Sequence, residues 1–347
     1  MKIKLKEALR DIAKKPFDSE KELCIALKQL ITDFEEGNHH LKESTGIEDL
    51  FEETIQMVSD QDREGRIIKS DYGGMDEITA GFFPGEMVVF GSRPAMGKTQ
   101  LLVNIVLHVS KNHPVLYFSF DLSPLILTAR FVSALSGMPV QQILTGNFTK
   151  DQEELVNSAG KELKNRQIFI NETGYNAVSL MKEQIVKHCR DKGVKMVVID
   201  YLQMMGGGKY RHNRDLEISS ICRELKHTAK EENISVIVTS QLNRGTEYRG
   251  GTKRPMLSDL RDSGAIEEDA DKVIFLYRPE YYHLTEDEHG INTKGIMHLI
   301  VAKNRNGSLG ETKLISDVGF TSFSDFDERT KELVISRERL DDLDVPF

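Results

Sequence analysis

The stretch Met87-Val88-Val89-Phe90-Gly91-Ser92-Arg93-Pro94-Ala95-Met96-Gly97-Lys98-Thr99-Gln100 decides the fold. An apolar run, Met87 to Phe90, feeds a loop of small residues, and Leu101, Leu102, Ile105, Val106 and Val109 then recur at helical spacing. Strand, tight loop and helix in that order are the layout of a phosphate-binding loop. Backbone N–H groups of the loop and of the helix start would hold a polyphosphate. Lys98 would reach the terminal phosphates as a point charge, and the Thr99 hydroxyl would sit on Mg²⁺. Ser92, Arg93, Pro94, Ala95, Met96, Gly97, Lys98, Thr99 and Gln100 are therefore the expected nucleotide-binding residues. The pattern is incomplete, because the Gly usual five places before Gly97 is Ser92, and Gly91 comes one place too early. A bare Gly-Lys-Thr also arises at helix starts that carry a solvated lysine. The preceding strand, Pro94 and the following apolar helix favour the nucleotide site.

Outward from this loop, strands and helices alternate from about residue 71. Apolar strands are predicted at 87–90, 115–120, 167–170, 196–201, 234–240 and 272–278, with helices at 99–110, 124–136, 177–191 and 213–231. Continuous apolar strands separated by helices mean an α/β fold, a mostly parallel sheet covered on both faces. Two further strands, near 295–303 and 311–317, flank Asn304-Arg305-Asn306-Gly307 as a terminal hairpin. Residues 1–70 are expected to be a short helical segment, 71–323 the core, and 324–347 a charged tail. Within the helical segment Leu5, Leu9 and Ile12 make one apolar stripe. A capping box at Ser19-Glu20-Lys21-Glu22 precedes a second, Leu23 to Phe34, and Ile47, Leu50, Phe51, Ile55 and Val58 make a third. Those stripes suit either a cap on the same core or a docking element for a neighbouring subunit.

The chain of 347 residues can bury one large core with a small extra module. It has no apolar run of membrane-spanning length and no signal peptide, so it is expected to be cytoplasmic, with no membrane partner. Cys24, Cys189 and Cys222 read as reduced, buried thiols. No His lies at zinc-type spacing from Cys, and no structural metal is expected. The net charge is −9 and the pI about 5.7. A protein that coats nucleic acid nonspecifically is usually basic. Any nucleic-acid contact must come from a few local basic loops, gathered by oligomerisation around a channel.

Lys195-Met196-Val197-Val198-Ile199-Asp200 is an apolar strand that ends in a carboxylate. Strand ends of a parallel sheet open onto one crevice, so Asp200 should face Thr99 and hold Mg²⁺ through water. A turn-capping Asp is the plainer alternative. Phe118-Ser119-Phe120-Asp121 closes another strand, and Asp121 is placed to orient or deprotonate an attacking water. Gln241, at a third strand end, can donate to a phosphate oxygen and accept from a water at once. Three basic, glycine-bearing loops follow these strands. They carry Lys209, Arg211 and Arg214, then Arg244 and Arg249, then Arg261 and Gly264. Singly, each reads as well as a solvated loop. Several at one end of one sheet point to a channel for single-stranded nucleic acid. Lys303 and Arg305 sit at the terminal hairpin, where an Arg is suited to enter a neighbour's nucleotide site, though a surface Arg in a turn fits the same pattern.

Together these residues resemble the C-terminal ATPase domain of the DnaB family of replicative DNA helicases. The matching segments are Gly81-Phe82-Phe83-Pro84-Gly85, Arg93 to Thr99, Ile199-Asp200-Tyr201-Leu202-Gln203, Ser240-Gln241-Leu242-Asn243-Arg244, Leu257 to Glu267 and Ala302-Lys303-Asn304-Arg305-Asn306-Gly307. The resemblance implies a RecA-like P-loop core, a six-subunit ring, and ATP-driven movement on single-stranded DNA. It implies ATP and Mg²⁺ as ligands, and a primase or loader as a further partner. It implies Arg305 as a finger across the subunit interface with Lys303 beside it, and Gln241 as sensor of the γ-phosphate. It accommodates Ser92, because this family tolerates a small residue there. Two departures are expected to matter. Asp121 stands where the family usually has Glu, and residues 1–70 leave no room for the family's N-terminal collar domain. They keep open a second reading, a nucleotide-gated DNA-binding or scaffold ATPase with weak hydrolysis, and a third, a recombinase-type filament. The last residues, Asp341 to Phe347, are similar to the acidic tip of bacterial single-stranded DNA-binding proteins, or form a solvated acidic tail.

Overall fold

The computed structural model describes residues 46–59, 67–172, 178–206, 213–260, 263–286, 290, 292–317 and 319–327. The apolar stripes expected before residue 46, the tail beyond Asp327, and Lys209, Arg211 and Arg261 lie outside the described residues. The chain divides between Gln61 and Asp62 into two units. In the first, α1 (Ile47–Ser59) is amphipathic, and Ile47, Leu50, Phe51 and Ile55 stand exposed on it.

The second unit is built on nine strands: β1 (Met87–Ser92), β2 (Val115–Ser119), β3 (Ile168–Asn171), β4 (Met196–Asp200), β5 (Ser235–Gln241), β6 (Lys272–Tyr277), β7 (Ile296–Asn304), β8 (Gly310–Ser316) and β9 (Phe323–Asp325). They form one sheet in the order β3-β2-β4-β5-β1-β6-β7-β8-β9. The first six strands pair in parallel and the last three antiparallel. Helices α2 (Gly73–Thr79), α3 (Lys98–Val109), α4 (Pro124–Ser136), α5 (Val140–Thr145), α6 (Lys150–Lys164), α7 (Val178–Lys192), α8 (Arg214–Glu232), α9 (Gly245–Tyr248) and α10 (Ser263–Asp269) fill the connections. None of the described helices is long and apolar enough to cross a membrane.

Every residue of β1, β2, β4 and β6 is buried. Their sequences therefore read as unbroken apolar runs, although alternate side chains serve opposite faces. Val88 and Phe90 pack with Leu101, Leu102 and Ile105 of α3, whereas Met87 and Val89 pack with Ile218, Ile221 and Leu225 of α8.

Two features depart from the sequence reading. Residues 140–164 form α5 and α6, which the strand–helix alternation passed over. A capping box opens α6: Thr149 Oγ1 accepts the Gln152 N–H at 3.3 Å, and Gln152 Oε1 accepts the Thr149 N–H at 3.0 Å. The described fold also runs past 71 and 323. Ile68 bridges to Phe82, and the Asp325 carboxylate in β9 accepts the N–H groups of Gly73 (2.7 Å) and Gly74 (3.2 Å) at the start of α2. A Cβ on Gly74 would lie 2.1 Å from Thr312 Oγ1, so glycine alone lets α2 approach β8 this closely.

Candidate nucleotide-binding site

Parallel strands end on a common edge, and the crevice there is where such sheets bind ligands. β1 lies between β5 and β6, so the loop that leaves it opens in the middle of that edge. Ala95 (φ 62°) and Gly97 (φ 89°) are both left-handed, which turns successive N–H groups inward ahead of α3. A cavity of about 420 Å³ follows, lined by residues 92–100 with Asp121, Arg130, Asp200, Tyr201, Gln241, Arg278 and Phe320.

Asp200 is buried at the end of β4, and three hydroxyls donate to its carboxylate. Thr99 Oγ1 reaches Oδ2 at 2.8 Å, Tyr117 Oη the same oxygen at 3.1 Å, and Thr239 Oγ1 reaches Oδ1 at 2.6 Å. Thr99 and Asp200, paired from sequence around a metal, thus touch directly. Lys98 Nζ donates to the Ser240 carbonyl at 3.3 Å and stands 5.6 Å from the Tyr201 ring. Burial pushes the Lys98 pKa down, while the Asp200 and Asp121 carboxylates pull it up. Asp121 is exposed on the cavity wall.

Gln203 was quoted from sequence only as part of a motif, and it pins Gln241. Its Oε1 accepts the Gln241 N–H at 3.1 Å, and its Nε2 donates to Ser240 Oγ at 2.8 Å and to the Gln241 carbonyl at 3.4 Å. Arg130, Arg278 and Phe320 were also missed. Arg130 donates to Gln100 Oε1 at 3.4 Å. The Arg278 guanidinium stacks 3.9 Å from the Phe320 ring and reaches the Ala95 carbonyl at 3.4 Å. These residues converge from distant segments. Sequence carried only one cue, that Arg130 lies on the helix opened by Ser123-Pro124 just after Asp121.

Several assigned side chains are also held by other parts of the chain. The Arg93 guanidinium is bound to Glu247 (2.8 Å) and to the Leu242 carbonyl (2.7 Å). Gln100 donates to the Thr321 carbonyl at 2.7 Å, which anchors the turn that carries Phe320. Ser92 and Met96 are buried, and Pro94 and Ala95 are exposed at the loop tip.

The basic loops are likewise more committed than their composition suggests. Arg214 donates to the Gln203 carbonyl (3.0 Å), the Met205 carbonyl (2.8 Å) and Glu217 (2.5 Å). Arg249 binds Asp259 and the Arg254 carbonyl. Leu242 bridges to Leu260, which closes the base of that loop. Arg244, Tyr248 and Gly264 remain exposed.

Lys303 and Arg305 are not at this cavity. β7 runs antiparallel to β6, so Asn304 sits opposite Lys272, and Lys272 sits beside Val88 near the start of β1. The four residue steps from Val88 to Ser92 span roughly 13 Å. Both cations therefore lie at the far edge of the sheet from their own chain's phosphate loop. There Lys303 donates to the Glu267 and Glu268 carbonyls and Arg305 to the Glu268 carbonyl. Burial, and then the Arg305 charge, lower the Lys303 pKa.

The family described as the DnaB-like helicase C terminal domain matches residues 67–325. The chain is 35% identical over 286 residues to the replicative DNA helicase DnaB of Geobacillus stearothermophilus, covering 82% of this chain and 62% of that protein. It is 38% identical over 249 residues to a probable plasmid replicative DNA helicase of Chlamydia psittaci, covering 71% of this chain and 53% of that one. Among solved structures, an isolated ATPase domain superposes with a TM-score of 0.74 at 30% identity, over 82% of this chain and all of that domain. A DnaB-like replicative helicase, described with its interactions with primase, superposes at 0.77 and 28% identity, over 94% of this chain and 76% of that one.

Proposed function

The chain belongs to the DnaB-like helicase C-terminal domain family, and from that premise we propose that it is an ATP-driven helicase or translocase that works on single-stranded DNA as a ring, most simply a hexamer. Because the chain spans only 62% of its Geobacillus relative, the activity, substrates and partners of that whole protein come to it as part of the same reading. The observation that carries it is that the residues expected to act on one nucleotide stand at opposite edges of the sheet. The phosphate loop opens at one edge, and Lys303 and Arg305 stand at the other.

The residues present fit a nucleotide with its metal. The loop N–H groups and Lys98 would hold the phosphates, and Thr99 and Asp200 would hold Mg²⁺ directly or through water. Bound Mg²⁺ would neutralise charge on the β- and γ-phosphates. Asp121 accepts the proton of the attacking water or orients it. Gln241, fixed by Gln203, contacts the γ-phosphate and that water. Arg305 of a second copy adds its charge as the bond to the γ-phosphorus breaks, with Lys303 beside it. Arg278 and Phe320 at the cavity lip offer a flat surface to a base. The exposed Arg244, Tyr248 and Gly264 meet the DNA strand, with Arg261 contributing beside Gly264, and Lys209 and Arg211 from the stretch after β4. The unit that ends at Gln61, with the exposed apolar residues of α1, serves as the docking segment between subunits, the unit from Asp62 carries the motor, and the residues beyond Asp327 are its tail. A primase or a loader joins from outside.

ATP turnover tests this reading. It should rise with single-stranded DNA and vanish in Lys98→Ala, and light scattering should report an assembly of several chains with an ATP analogue and DNA. Turnover indifferent to DNA, from a protein that stays monomeric, would overturn it. The exposed, short Asp121 favours the second reading, a DNA-binding ATPase with weak hydrolysis.

A further inference from the structure

The sheet edge opposite the cavity holds two buried carboxylates. Each is paired with a lysine, and each reaches one residue of the turn between β7 and β8. Asp271 Oδ2 accepts the Met87 N–H at 2.7 Å and Lys226 Nζ at 2.5 Å, and Oδ1 lies 3.4 Å from Arg305 Nη1. The Asp271 carbonyl accepts the Arg305 N–H at 2.9 Å. Lys226 also donates to the Gly85 carbonyl at 2.7 Å. Glu86 is paired with Lys272, which is fully buried and donates to the Gly81 carbonyl at 2.9 Å. The other Glu86 oxygen accepts from Asn306 Nδ2 at 2.7 Å.

Three buried charges, with the partly buried Lys226, are an expensive way to join the starts of β1 and β6, since apolar residues of equal volume often do so at lower cost. Their distinctive contribution is direction. Charge-assisted hydrogen bonds fix angles as well as distances. Here they end on two residues of a turn that is otherwise open to solvent, and neither carboxylate lines the cavity.

We propose that Glu86 and Asp271 are positioning residues that seat the Asn304–Gly307 turn, so that Arg305 leaves its chain at a fixed angle toward nucleotide held by a second copy, a role that rests on the cross-subunit finger proposed above. Asp271 holds the guanidinium and backbone of Arg305, and Glu86 holds its neighbour Asn306. Lys226 and Lys272 hold the two carboxylates in place.

Mixed assemblies of the full chain test this. Asp271→Asn and Asn306→Ala are each assayed for DNA-stimulated turnover and for affinity toward a fluorescent ATP analogue, alone and mixed with equal Lys98→Ala. Lys98→Ala chains bring an intact turn and a dead phosphate loop, and Arg305→Ala mixed with Lys98→Ala is the reference. Loss of seating should lower turnover about tenfold or more, because displacements near 1 Å are costly in rate. Analogue affinity should hold, and mixing should restore turnover in the proportion seen for the reference. Wild-type turnover in Asn306→Ala overturns the proposal, as does a variant that stays inactive on mixing while the reference recovers. Asn306 is exposed, so its variant decides the matter even if Asp271→Asn does not fold. A reference that itself fails to recover removes the cross-subunit finger, and the seat with it.

Discussion

Replacing Gln203 with Met keeps the length of the side chain and cuts three hydrogen bonds at one place. Two are well formed, to the Gln241 N–H at 3.1 Å and to Ser240 Oγ at 2.8 Å, and the third, to the Gln241 carbonyl at 3.4 Å, adds little. An N–H stranded in a half-buried position costs about 1–3 kcal/mol, and an ordinary lost bond about 1 kcal/mol, for a total of about 2–4 kcal/mol. At about 2–4 °C per kcal/mol for a domain of this size, melting should fall by about 4–16 °C. The effect on rate is separable. Gln241 is left without its anchor, and if it contacts the γ-phosphate as proposed, a shift near 1 Å can cost up to about 100-fold in turnover. Nucleotide affinity should stay within about twofold, because the loop at 93–99 keeps its partners. Thermal melts, DNA-stimulated ATP turnover and analogue titration measure the three quantities. A variant that melts lower but turns over normally would show that Gln203 braces the sheet and nothing more. One unchanged in both would refute the reasoning.

Asp121→Glu lengthens an exposed carboxylate by one methylene toward the cavity, and turnover should rise about tenfold; a fall would show that the aspartate is already at the right reach. Lys98, depressed chiefly by burial, gives up its proton at lower pH than an exposed lysine. ATP affinity should therefore weaken as pH climbs through that lowered value, and Lys98→Arg should postpone the loss. Between the lowered and the ordinary lysine value the unfolded chain binds more protons, so melts of the nucleotide-free protein should rise with pH there. Asp325→Ala removes both acceptors from the Gly73 and Gly74 N–H groups and should cost about 1–2 kcal/mol, as loss of a helix cap does. A melting temperature unchanged in Asp325→Ala would mean that β9 does not brace α2.

The centre of this fold was legible in its sequence because each signal was local. Strand, loop and helix around Lys98 are contiguous, and Asp200 is read from the strand that it ends. The terminal hairpin announced itself through Asn306-Gly307 between two apolar runs. What was not legible is which side chains already have a partner, because that partner lies far along the chain. Arg93 is bound to Glu247, 154 residues on. Arg249 answers to Asp259, and Gln100 to the Thr321 carbonyl. The Arg214–Glu217 pair was open to view at helical spacing, and so was the Thr149–Gln152 box that starts α6. The charge of a basic loop says nothing about whether its own fold has already used that charge.

The reversal of direction after β6 has a consequence beyond geometry. If Arg305 serves a neighbour's nucleotide as proposed, a chain that carries the lock on one rim and the key on the other is idle in solitude. Turnover per molecule should then collapse on dilution below the point of assembly, and abundance alone would set the output.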